Sequence, residues 1–126
     1  MSEVIEGVHY HEAHDWLSVD GDTETTGITD YAQAELGDIV FLELPEVGTE
    51  VTLGESYGTV EAVKTVADLV SPVTGKVVEV NEQLQEDASL VNTDPYGEGW
   101  TIRIRFADER EVEELMSPEA YRDFLS

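Results

Sequence analysis

Cysteine is absent from all 126 residues, which excludes a disulfide framework, a thiolate metal site and a cysteine nucleophile. Cations are nearly absent as well. Six Lys and Arg stand against 29 Asp and Glu, a formal net charge of −23. Such a surface repels phosphate backbones and anionic lipid, so neither nucleic acid nor membrane is expected as a partner. No apolar run approaches the roughly 18 residues of a membrane-spanning helix. The start, Met1 to Gly7, has neither the basic beginning nor the apolar stretch of an export signal, and a cytoplasmic protein is expected.

What remains is enough for one folded domain spanning 1–126. Hydrophobic residues make up 40% of the chain and recur with clear periodicity, which argues against disorder despite the charge. The acid therefore belongs on the surface. Self-repulsion of this size is relieved by dissolved cations, and a salt-loving host is the expectation that follows.

The hydrophobic pattern is that of short strands. Residues 14–19 and 23–28 flank a turn at Asp20, Gly21 and Asp22 and read as a hairpin. Asp30 is placed to cap a helix from Tyr31 to Leu36, ended by Gly37. Ile39, Phe41 and Leu44 resume a strand up to Pro45, and Val51 and Leu53 mark a shorter one. Residues 81–89 read as a polar loop with one helical turn near Leu84. In the last strand Trp100, Ile102, Ile104 and Phe106 alternate with polar residues. Residues 110–126 are expected to be helical, with Ser117 as cap and Pro118 at the first position of the final helix. Residues 1–10 are expected to be loosely ordered.

Two stretches look like copies of one pattern. Gly37 to Leu44 and Gly75 to Glu82 each open with a glycine and run through β-branched residues, and each is followed by a polar segment and a second strand. Between the two halves lies Lys64, one of only two lysines, flanked by the strand-like residues Tyr57 to Val60 and Val66 to Val70. A hairpin tip presents that amine to solvent. An exposed turn is a poor place for a Schiff-base lysine, which needs desolvation, but a good place for a lysine that another enzyme acylates.

Val60 to Asp68 followed by Ser71 to Glu82 resembles the lipoylation region of the glycine cleavage system H protein family. Gly27 to Gln33, Leu36 to Pro45 and Asp94 to Trp100 extend the resemblance, in the right order, over nearly the whole chain. The resemblance implies a mainly β, barrel-sandwich hybrid fold of the lipoyl and biotinyl carriers, with short peripheral helices and a C-terminal helix. It also implies a carrier without turnover of its own, bearing lipoic acid covalently on Lys64. The implied partners are a pyridoxal-phosphate glycine decarboxylase, a tetrahydrofolate-dependent aminomethyltransferase, a flavin dihydrolipoyl dehydrogenase and a lipoyl-attaching enzyme. By analogy with the family's acidic cleft, Asp15, Glu35 and Asp68 are candidates to line a dock for the arm, and Glu61 belongs to the same motif as the lysine. The alternative is that these are ordinary members of a saturated acidic surface. Asp15 departs from the Glu that family members commonly carry after this His, and Ala62 from a common Ser. A lipoate relay to other carriers and a biotin carrier are the alternative functions, although biotin carriers typically flank their lysine with methionine, where Val63 and Thr65 stand here.

Asp68 and Gly75 also have structural readings, a local backbone hydrogen bond and a turn φ. His9, His11 and His14 with Glu12 suggest a metal cluster. Three such ligands need a folded scaffold to converge, and no metal site is assigned.

Overall fold

A computed structural model describes residues 2–126. The chain runs β1 (His9–His11), β2 (Asp15–Asp20), β3 (Thr23–Ile28), α1 (Asp30–Leu36), β4 (Ile39–Glu43), β5 (Glu50–Val51), β6 (Ser56–Ala62) and β7 (Val66–Val70). It continues through β8 (Gly75–Val80), α2 (Gln83–Glu86), α3 (Leu90–Thr93), β9 (Ile102–Phe106), α4 (Arg110–Glu113) and α5 (Pro118–Leu125). The strands form a six-stranded sheet ordered β1-β2-β3-β9-β8-β5 and a three-stranded sheet ordered β4-β6-β7. All pairings are antiparallel. This is the mainly β architecture with short helices that the pattern implies.

The two similar halves fall in different sheets and share one irregularity. In β4 the pairing shifts register between Ile39 and Phe41, and in β8 between Val77 and Glu79. Each bulge thus spans the second to fourth residues after its glycine, Gly37 or Gly75. A bulge adds one residue and reverses which side chains face inward. In β4 it buries Ile39 and Leu42 and leaves Phe41 48% exposed. Ile39 and Phe41 lie in a strand as read from the sequence, and the bulge sets them on opposite sides of burial.

Three hydrophobic clusters hold the layers. Ile39, Leu42, Val60, Ala62 and Leu69 of the small sheet pack with Ile28, Leu84 and Val91. Leu17, Val51, Val73, Val77, Ile102 and Ile104 fill the large sheet. Val8, Tyr10, Trp16 and Tyr121 join the N-terminal residues to α5. At Val8 and Tyr10 that third cluster departs from the looseness expected of this segment. Tyr10 is fully buried, pairs with Trp16 in β1 and β2, and exchanges hydrogen bonds with the Ile5 backbone through its hydroxyl.

Several local expectations need correction. Thr29, not Asp30, caps α1: its backbone is extended, and its hydroxyl accepts from Ala32 N. Asp30 lies inside the first turn and accepts from Gln33 Nε2 instead. Residues 90–93 form a helical turn that the polar pattern did not suggest. Gly75 does not have a positive φ. It is required because an added Cβ would run into the Arg105 carbonyl of the neighbouring strand.

Candidate functional site

β6 and β7 are joined by Val63, Lys64 and Thr65. Ala62 N donates to Thr65 O (2.8 Å) and closes the turn, while Val63 N donates to Asp38 O (2.9 Å) and ties the tip to the start of β4. Neither Val63 nor Lys64 has a positive φ, so no glycine is needed in this turn. Lys64 is exposed. All four arginines form ion pairs, with Glu6, Asp22, Glu79 and Asp108, whereas among the described residues neither lysine does. The stem of Lys64 runs over Gly37. A Cβ built there would lie 3.3 Å from Lys64 Cε and 3.8 Å from Nζ.

Gly37 is itself pinned. Its φ of 83° and ψ of −153° form a combination reserved for glycine, and it ends α1 by donating to Gln33 O. Asn92 of α3 then uses its whole side-chain amide on this corner. Its Nδ2 donates to Gly37 O and Gln33 Oε1, both at 2.9 Å, and its Oδ1 accepts from Ile39 N at 2.9 Å. The unexpected helical turn at 90–93 therefore has a task, which is to fix the platform beneath the lysine.

Alongside α1 lies a cleft of about 200 Å³, bounded by His14, Asp15, Tyr31, Glu35, Leu36 and Asp68, with Ile28, Val60 and Ala67 as apolar lining. Three of the candidate residues from distant parts of the sequence, Asp15, Glu35 and Asp68, thus meet at one concavity that begins two residues before Gly37. Glu61 does not line it and is exposed on β6. Asp15 is 2% exposed, and its Oδ2 has no hydrogen-bond partner. Burial pushes its carboxyl well above the usual carboxylate range. Asp68 accepts from Ser56 Oγ across the hairpin (3.4 Å), in place of the local backbone bond expected of it.

His14 has a φ of 70°, the one positive value outside glycine among the described residues. Bonds on both sides hold that strain: His14 N donates to His11 O (2.9 Å) and Thr29 N donates to His14 O (3.0 Å). Its Nδ1 lies 2.8 Å from the Tyr121 hydroxyl, and burial lowers its pKa. Among the described residues no three His, Cys, Asp or Glu side chains assemble into a metal-holding group. The cluster considered at His9, His11, Glu12 and His14 does not converge, because His14 turns toward Tyr121 and His11 Nδ1 accepts from Ala13 N. Sequence reasoning missed Tyr31, Tyr121 and Asn92 at this site. Nothing local distinguishes them, since a Tyr or Asn acquires its role only from the neighbours the fold supplies.

The model of the glycine cleavage H-protein family matches residues 8–126. The chain is 53% identical over 125 residues to the glycine cleavage system H protein of Carboxydothermus hydrogenoformans, covering 99% of this chain and 96% of that relative. It is 48% identical over 121 residues to the probable glycine cleavage system H protein of Haloarcula marismortui, covering 96% and 95%. The crystal structure of a glycine cleavage system H protein from Mycobacterium marinum superposes with a TM-score of 0.89 at 38% identity, covering 97% of this chain and 98% of that one.

Proposed function

Because the chain belongs to the glycine cleavage H-protein family, we propose that Lys64 is the residue that bears its lipoyl group and that the cleft beside α1 receives the loaded arm. The protein is a lipoyl carrier of the glycine cleavage system. When bound, the lipoyl group supplies a disulfide that accepts the aminomethyl group of glycine and is afterwards reoxidised.

The observation that carries the assignment of Lys64 is its place in the middle of a three-residue tip, exposed and outside every ion pair among the described residues, with its stem directed over Gly37 at the end of α1. A modifying enzyme can reach that amine without disturbing the sheet, and an amide made there removes the charge. The fit of the cleft rests on Asp15. A buried carboxyl with an orphaned Oδ2 is costly in an empty fold, and an amine delivered beside it would supply the missing donor. Asp15 holds its proton at the carboxyl until that amine arrives, then passes it to the amine and keeps the resulting cation by charge-assisted hydrogen bonding. Apolar lining from Ile28, Val60 and Ala67 excludes water from the carbon that would otherwise be hydrolysed.

The chain itself turns nothing over on this reading. It works in sequence with the decarboxylase, the aminomethyltransferase and the dihydrolipoyl dehydrogenase of the system, after a lipoyl-attaching enzyme has modified it. Intact mass with peptide mapping across Val60 to Leu69, on protein from its native host grown on glycine, tests the assignment. One lipoyl increment confined to Lys64, lost in K64R, is the expected result. A biotin increment or an unmodified Lys64 would overturn it.

A further inference from the structure

α5 carries no residue of the proposed carrier chemistry, yet Tyr121 on it reaches the cleft through His14. The ring of Tyr121 is fully buried and stacks on Tyr10, with centroids 4.3 Å apart and planes within 4°. Its hydroxyl lies 2.8 Å from Thr29 Oγ1 and 2.8 Å from His14 Nδ1. Thr29 is fully buried too, and its Oγ1 accepts from Ala32 N at 3.2 Å as the cap of α1.

The direction of this chain of bonds follows from counting protons. Ala32 N–H can only donate, so it occupies a lone pair of Thr29 Oγ1. The hydroxyl proton of Thr29 then has one acceptor within hydrogen-bond distance, the Tyr121 oxygen. The tyrosine keeps its own proton, because burial pushes its pKa up to about 12. With its oxygen already accepting from Thr29, Tyr121 donates to His14 Nδ1. In the reverse direction His14 Nδ1–H would donate to Tyr121 and Tyr121 to Thr29, which leaves the Thr29 hydroxyl proton buried with no acceptor. An unmade buried donor is the costlier state.

An Nδ1 that accepts carries no proton, so the proton of the neutral ring is on Nε2. That nitrogen makes no hydrogen bond to the described residues and is not a buried atom lacking a partner, so it is solvent-accessible on a residue that lines the cleft with Asp15. We propose that Tyr121 is a positioning residue of the cleft, fixing His14 as the Nε2–H tautomer so that an imidazole N–H donor meets an acceptor atom of the docked arm beside Asp15. This rests on the cleft being the dock. The two neighbours then divide the work: Asp15 receives the amine of the arm, and His14 donates to its amide carbonyl or sulfur.

The test combines two readouts on lipoylated protein. Long-range proton–nitrogen NMR of the ¹⁵N-labelled chain reports which ring nitrogen of His14 bears the proton. After loading with glycine and the decarboxylase, the lifetime of the arm is followed as water displaces the thiol at its methylene, releasing ammonia and formaldehyde and leaving the dithiol. Wild type is expected to show Nε2–H. Y121F should lose that preference and release ammonia roughly tenfold faster, about the effect of one lost hydrogen bond. T29S should retain both wild-type properties. Should Y121F fail to fold, T29V breaks the chain of bonds without touching the aromatic stack and is read in the same way. Nδ1–H in wild type overturns the proposal. So does a variant whose tautomer changes while its release rate does not, provided D15N releases faster, which leaves the cleft reading standing. If neither D15N nor Y121F shortens the lifetime, the dock itself is elsewhere and the proposal falls with it.

Discussion

Lys64 rests on Gly37: the methylene next to its amine would lie 3.3 Å from a Cβ at that glycine, whose backbone has a φ of 83°. The attachment residue proposed for the arm and the residue that ends α1 are therefore one packing unit, brought together from opposite sides of β4. An alanine at Gly37 meets two obstacles, a backbone region reserved for glycine and the stem above it. G37A should cost about 1–3 kcal/mol of stability, measured by urea unfolding, and slow lipoylation of Lys64 in a purified ligase assay. An unchanged lipoylation rate in a destabilised variant would separate the platform from the chemistry.

Asn92 fixes that platform with three hydrogen bonds, and no local feature replaces them. N92A should lower stability by roughly 2 kcal/mol, because the Ile39 N–H and the Gly37 carbonyl both lose a partner in a half-buried corner. Amide hydrogen exchange should quicken first at Ile39, whose N–H loses its acceptor. Uniform loss of protection would assign Asn92 a global role instead.

Glu24 is fully buried in β3, and neither carboxyl oxygen has a partner. Burial first, and the Glu111 charge second, push its pKa up to about 7. The folded state thus binds this proton more tightly than the unfolded chain, so stability is largest below the ordinary glutamate range and falls as pH rises toward 7. The loss is on the order of 3 kcal/mol between pH 4.5 and 8. E24Q should remove this share of the slope. Parallel stability curves for E24Q and wild type across that range would sink the account.

Four ion pairs engage only four of the 29 acids among the described residues. Most of the others are exposed carboxylates with no cationic side chain beside them. The melting temperature should rise from millimolar to molar KCl as the screening length shrinks from about 30 Å at 0.01 M to about 3 Å at 1 M. A salt-independent melting temperature would show that the acids are too dispersed to matter.

The lysine hairpin, the capped C-terminal helix and the hairpin read from 14–19 and 23–28 were legible because each has a local cause: alternation, a Ser-Pro start, a glycine turn. The α1 cap was missed by one residue, since Thr29 and Asp30 are both competent caps and only the backbone shows which is extended. The strand holding Phe41 was legible, but its exposure was not, because a bulge leaves no mark in hydrophobic alternation until the partner strand is known. Tyr10 was lost to the assumption that chain ends are loose, although Tyr121, 111 residues away in sequence, packs on its ring.

What the sequence by itself determined is the carrier: a lysine kept at a hairpin tip in a chain nearly purged of lysine, set between two halves of one repeated pattern. Hydrophobic period and turn chemistry are local and place the lysine at a hairpin tip, and the resemblance of the motifs around it implies the carrier. The tertiary structure alone decided which carboxylates of an acidic surface are ordinary and which are not. Asp15, Glu35 and Asp68 come from β2, α1 and β7, which have no sequence relation, and meet only because the fold brings these three elements to one cleft. It likewise supplied the partner on which the proposed tautomer of His14 rests, the Tyr121 hydroxyl at the far end of the chain.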